Sequence, residues 1–152
     1  MKPPALNSVR VISGLVGLVI AIATLGMPLG YYTVSYKYFI GSLETEVEIN
    51  ANIVSQMISA NPDFWEFEYV RLLDNLSDRP REGYREIRRL KNAKNDVVAE
   101  SADNLTPPVV TRSRVVMDSG VVVGKLEISR SLRPLLNTAV LLALLMLPFG
   151  LG

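Results

Sequence analysis

The chain has 152 residues, which suits one folded domain better than two, and its mean hydropathy of +0.24 stands beside 20% charged residues. A net charge of +1 with acids and bases interspersed gives no electrostatic footprint for nucleic acid, so no such partner is expected. Cysteine and histidine are both absent, which excludes thiolate and imidazole chemistry within these residues; no metal site and no cofactor are expected.

Apart from Lys2 and Arg10, every charged residue lies between Lys37 and Arg133. Both ends are therefore apolar and the middle is polar. From Val11 to Tyr36 no residue is charged. About 20 helical residues cross a hydrocarbon core of roughly 30 Å, so residues 11–35 are expected to form a first transmembrane helix. Tyr31, Tyr32, Tyr36 and Tyr38 follow where an interfacial aromatic belt sits. A cleaved signal peptide fits less well. The apolar run exceeds the usual stretch of about 7–15 residues, and no small-residue cleavage site follows. Lys2 and Arg10 favour a cytoplasmic N-terminus, residues 1–10, with the loop outside.

Helical periodicity continues beyond the membrane. Ile40, Leu43, Val47, Asn50, Val54 and Met57 step by three and four, while Ile49, Ile53 and Ala60 form a second stripe. Two readings compete for this pattern. In one, the stripes make a single wide face against the chain's own core. In the other, Leu43, Val47, Asn50, Val54 and Met57 form the seam of a parallel homodimer, with Asn50 setting its register. Asn61-Pro62 ends the helix. A short helix is expected from Asp63, where Asp63 and Glu66 make a capping pattern and Trp65, Tyr69, Leu72 and Leu76 line one face. Trp65 is read as core, with contact to a ligand as the alternative.

Strands follow: Tyr84 to Lys91, a turn at Asn92–Asn95, Asp96 to Ser101, then Val109 to Asp118 and Val121 to Ser129. Asn95 tolerates the left-handed conformation that a tight turn needs. Asp118-Ser119-Gly120 marks a second turn, and Gly124 leaves room for a close neighbour. The fold class is accordingly α+β: two transmembrane helices flank a small domain of a long N-terminal helix, a short helix and an antiparallel sheet of four or five strands. The last apolar segment, 134–152, is expected to be the second span. Nothing basic follows it, so the chain is read as cut before a cytoplasmic part.

Candidate binding residues come from parity. Arg85 and Arg89 share a face with Ile87, and Thr111 and Ser113 share one with Val109, Val115 and Met117. Polar groups on an apolar face need partners. These four residues, with Trp65, are the expected pocket. The basic run from Arg79 to Lys94 suits a small anionic ligand or anionic headgroups, or simply a solvated face paired with acids.

The hairpin NAKNDVVAES and the exit VVVGKLEISRSLRPLL into a second apolar segment resemble the extracytoplasmic PAS-like (Cache or CHASE-type) input domains of bacterial histidine kinases and diguanylate cyclases. The resemblance covers most of Tyr36 to Leu145. It implies that residues 36–133 are a PAS-like sensor domain on the outer side of the bacterial inner membrane, anchored in the bilayer; a homodimer is the partner expected from the seam on the juxtamembrane helix. The output domain would lie beyond Gly152. In these residues the chain is not expected to be an enzyme. An envelope scaffold, holding a partner through its external domain and juxtamembrane helix, is the competing reading.

Overall fold

The computed structural model describes residues 5–68, 71, 72, 74, 85–101 and 104–151. It divides into two units, Met1–Lys37 with Pro134–Gly152, and Tyr38–Arg133. Helix α1, Ala5–Ala60, is 56 residues long and runs unbroken through Pro28. The expected transmembrane helix and juxtamembrane helix are thus one element.

In the first unit the large apolar side chains of α1 are bare. Val9, Leu15, Val19, Ile22, Leu25 and Leu29 are all more than half exposed. Tyr32 and Tyr36 stack with ring centroids 5.9 Å apart, one turn from each other. Among the described residues α1 is the one helix long and apolar enough to cross a membrane. The expected second span folds as helix α2, Arg133–Leu151. The part of it whose side chains are described, Arg133–Leu147, is apolar but shorter than a span. Val140, Leu141, Leu144 and Leu145 on it are also exposed.

The second unit is an antiparallel sheet covered on one face by the last turns of α1. Its strands are β1 (Glu86–Asn92), β2 (Val97–Glu100), β3 (Val109–Asp118) and β4 (Val121–Ser131), in the order β2-β1-β4-β3. Four antiparallel strands and helices make the α+β class expected. Leu43, Val47, Ala51, Val54 and Ile58 of α1 pack on Leu90, Ala99, Val116, Leu126 and Ile128 of the sheet, joined by Trp65 and Leu72. Each such aliphatic side chain contributes roughly 1.5–3 kcal/mol by leaving water. This burial drives the helix onto the sheet.

Turn chemistry fixes the registers. Asn92 Oδ1 accepts from the amides of Lys94 at 3.0 Å and Asp96 at 2.9 Å, and Asn95 takes φ 72° as its residue type permits. Between β3 and β4, Asp118 pairs with Val121 across the two-residue loop Ser119-Gly120, with φ of 48° and 87°. Positive φ at both positions is the hairpin geometry that matches strand twist. Further on, Val116 pairs with Gly124 but Met117 with Val122, so Val123 is an extra residue that bulges β4. Gly124 lies so close to β1 that an added Cβ would stand 2.2 Å from the Lys91 carbonyl oxygen. The close neighbour expected there is the adjoining backbone.

The short helix expected from Asp63 opens differently. Phe64 precedes a 3-10 turn, Trp65–Phe67, with no side-chain cap, and the helical residues Arg71, Leu72 and Asp74 follow, the Leu72 amide donating to the Glu68 carbonyl at 3.0 Å. The bonds of the 3-10 turn, Phe67 N to Phe64 O at 3.0 Å and Glu68 N to Trp65 O at 3.2 Å, span three residues rather than four. Tyr69 and Leu76 of the expected stripe lie outside the described residues.

Candidate functional site

The core between α1 and the sheet is interrupted by charge. Glu86 on β1, Arg88 on β1 and Arg130 on β4 are 4%, 3% and 7% exposed. Strand alternation places them there. Glu86, Arg88 and Leu90 share one face of β1, and Leu126, Ile128 and Arg130 share the same face of β4. Glu86 and Arg130 are direct partners across the ladder.

The Glu86 carboxylate bridges both cations. Oε2 accepts from Arg130 Nη2 at 2.9 Å and Nε at 3.2 Å. Oε1 accepts from Arg88 Nε at 2.9 Å and also from Arg88 Nη2. Helix α1 closes the network from above. Arg88 Nη2 donates to Glu46 Oε1 at 3.0 Å, and Asn50 Nδ2 donates to the same oxygen at 3.0 Å. Arg130 Nη1 donates to Ser42 Oγ at 2.9 Å, and its guanidinium carbon lies 5.7 Å from the centre of the Phe39 ring. Two arginines thus face two carboxylates. The charges balance, and the cluster ties α1 to β1 and β4 at once.

The rim carries weaker ties. Arg112 Nε donates to Glu44 Oε1 at 3.1 Å, and Arg114 Nη2 lies 3.9 Å from Glu48 Oε2. Ser55 Oγ accepts from the Met117 amide at 3.0 Å. An open groove of about 290 Å³ lies here, lined by Glu48, Ala51, Asn52, Ser55, Arg114, Val115 and Met117.

Several expected site residues fall elsewhere. Thr111 and Ser113 do not face the core. On β3 Val110, Arg112, Arg114 and Val116 have the parity that meets α1, so Val109, Thr111, Ser113, Val115 and Met117 have the other and are exposed. Thr111 Oγ1 and Ser129 Oγ hydrogen-bond there at 2.7 Å. Arg85 and Arg89 also have the outward parity. Arg85 is exposed, and Arg89 pairs with Glu100, whose hydrogen bond holds the guanidinium pKa above its ordinary value. The arginine that points inward is Arg88, one residue away. Trp65 is 6% exposed within the core cluster. The structure therefore does not bring these five residues together.

The stripe read as a dimer seam is the face α1 turns to its own sheet. Leu43, Val47 and Val54 are at most 2% exposed, Met57 packs against the same core, and Asn50 bonds Glu46 within its own helix. On the second stripe Ile49 and Ala60 are exposed and Ile53 is half-buried.

On the outward face Glu127 takes Lys91 at 2.9 Å and Lys125 at 2.9 Å. Burial by itself raises the Glu127 pKa, but the two ammonium groups outweigh it and hold the carboxyl below the ordinary glutamate value. Among the described residues no group of three acidic, cysteine or histidine side chains gathers to hold a metal. Comparison with protein-family models, with curated proteins and with solved structures gives no match.

The buried cluster was not anticipated from the sequence, yet its signal was present. Leu126 and Ile128 define the core face of β4, and Arg130 continues it two residues on. On α1, Ser42, Glu46 and Asn50 repeat every four residues beside the apolar stripe.

Proposed function

We propose that the chain is the sensory input region of a bacterial transmembrane signalling receptor of the histidine kinase or diguanylate cyclase type. Its N-terminus is cytoplasmic, its α+β domain lies outside the inner membrane, and α2 is a second span leading to an output domain. The observation that carries this reading is the continuity of α1. One helix, Ala5–Ala60, has bare apolar side chains over its first turns and, over its last turns, core side chains and the partners of Arg88 and Arg130. In this proposal a change in how the sheet holds α1 is passed along the same helix to its apolar segment.

The other exit supports the same reading. β4 ends at Ser131 and α2 begins at Arg133, so a single residue separates them. That junction is pinned. Ser131 Oγ donates to the Thr106 carbonyl at 2.5 Å, and the Leu132 amide donates to the Pro108 carbonyl at 2.9 Å. A short tethered junction passes on motion that a slack linker would absorb. The layout resemblance to PAS-like input domains points the same way. Pairing with a second copy and recognition of a small anion belong to this proposal.

The deciding experiment is to read the gene past the codon for Gly152. A frame continuing into a kinase or cyclase domain is expected. A stop codon there would overturn the reading in favour of an envelope scaffold.

A further inference from the structure

Helix α1 carries three rows of residues four apart along the side that meets the sheet, two facing it and one exposed at its rim. The polar row is Ser42, Glu46 and Asn50; the flanking row is Glu44, Glu48 and Asn52; the apolar row is Phe39, Leu43, Val47 and Ala51. The sheet meets them with fixed partners at matching intervals. Arg130 holds Ser42 and Arg88 holds Glu46, while Arg112 holds Glu44 and Arg114 approaches Glu48. Four residues advance a helix by about 6 Å with about 40° of rotation. Two residues advance a strand by about 6.6 Å. The two ladders are nearly in step.

We infer that α1 has a second seat on its own sheet, one turn from the seat observed and reached by sliding toward its N-terminus. In that seat Glu46 takes the place of Ser42 on Arg130, and Asn50 takes the place of Glu46 on Arg88. Glu48 takes the place of Glu44 on Arg112, and the Asn52 amide oxygen meets Arg114. Leu43 and Val47 enter the positions of Phe39 and Leu43. Each of the four arginines keeps an acceptor on α1, and Glu86, which bridges Arg88 and Arg130 from within the sheet, need not move.

The seats are discrete because intermediate positions leave the buried guanidinium groups between acceptors on α1, while Glu86 holds them from the sheet throughout. They are also unequal. The observed seat has the Phe39 ring on Arg130 and fills the core with Val47, Ala51 and Ile58, whereas the second brings Ala51 and Ser55 to the first two of those positions, carries the third past the end of α1 at Ala60, and exchanges a hydroxyl for a carboxylate on Arg130. One-turn ratchets of this kind connect two packed states of one interface. The two-seat geometry rests only on the contacts between α1 and the sheet; its use as a signal rests on the receptor reading above.

The test uses the full chain reconstituted in lipid vesicles. The chain has no cysteine, so Thr45→Cys on the exposed side of α1 and Val121→Cys at the exposed β3–β4 turn accept a pair of spin labels. The distance between the labels is read by pulsed electron paramagnetic resonance. Glu46→Gln combined with Asn50→Glu moves the helix acid one turn along, so that a carboxylate of α1 takes the Glu46 place on Arg88 in the second seat, beside Glu86, which holds Arg88 in both. The label distance is expected to lengthen by most of the roughly 6 Å slide. Ser42→Glu combined with Glu46→Ser moves the acid the other way, onto Arg130 in the observed seat, and the distance is expected to stay. An unchanged distance in the first variant overturns the inference, as does lengthening in the second. Loss of the native near-ultraviolet signal of Trp65 in the first also overturns it, since the second seat is a folded state. The distances are measured without any output domain, so they stand whether or not the reading frame continues into one.

Discussion

Glu86 and Arg130 face each other across β1 and β4, and both are buried where the sheet meets α1. Removing two such groups from water is costly, and their mutual attraction repays it only when the remaining donors and acceptors are satisfied. Here Arg88, Glu46 and Ser42 supply those partners. A buried ionic cluster stabilises less than an apolar one of equal volume, but it is strict about position. It sets where α1 sits on the sheet.

Glu86→Ala leaves two buried guanidinium groups without the carboxylate they share. Breaking a buried pair in this way costs about 3–5 kcal/mol. Denaturant unfolding of the purified protein, followed by Trp65 fluorescence, is expected to show a loss of that size. Thr111→Ala provides the contrast. Its hydroxyl pairs with Ser129 on the exposed face, and its loss is expected to cost less than about 1 kcal/mol. A larger effect at Thr111 than at Glu86 would reverse the assignment of inward and outward faces.

Glu127 predicts an acid limb of stability. Its folded pKa lies below the ordinary glutamate value of about 4.3 because Lys91 and Lys125 favour the charged form. A depressed pKa stabilises the fold fully above the unfolded value, and the contribution is lost as pH falls through the folded one. The difference in unfolding free energy between the native chain and Glu127→Gln is therefore expected to be flat from neutral pH to about 5 and to shrink below it. A difference that grows on acidification would contradict the ion pairs.

The strands, their order along the chain and both turns were legible in the sequence because alternation and turn chemistry are local. The α1 boundary at Asn61-Pro62 was legible for the same reason. Which face of β1 and β3 points inward was not. On β3, Val109, Val115 and Met117 share one parity and Val110 and Val116 the other, so hydrophobicity alone cannot choose. The choice is made by partners distant in sequence. Arg112 and Arg114 answer Glu44 and Glu48, and Arg88 answers Glu46 and Glu86. Matching spacings of acid on helix and base on strand would have found the buried cluster. A search for polar residues on the more apolar face of β3 led instead to Thr111 and Ser113.

Gly124→Ala is expected to weaken the pairing of β1 with β4. The new Cβ meets main chain, the Lys91 carbonyl, rather than a side chain that can rotate away. Overpacking of this sort costs typically about 1–3 kcal/mol. Hydrogen exchange localises the effect, with protection falling first in β1 and β4. Uniform protection across the sheet, equal to that of the native chain, would show that the strands separate without cost.

The junction between β4 and α2 yields the prediction closest to mechanism. Ser131 and Leu132 are held to the carbonyls of Thr106 and Pro108, and the Arg133 amide donates to Ser131 Oγ at 3.2 Å. In the proposed receptor this stretch transmits displacement of the sheet to the second span. A ligand biases that displacement only by its differential affinity for the two states, typically about 1–3 kcal/mol of coupling. Such a bias survives a stiff junction and is lost in a slack one. Insertion of a flexible Gly-Ser segment after Ser131, in the full receptor, is expected to abolish the response of the output domain while unfolding followed by Trp65 stays unchanged. A retained response with native stability would mean that α2 follows nothing in the sheet, and the signal would have to travel through α1 alone.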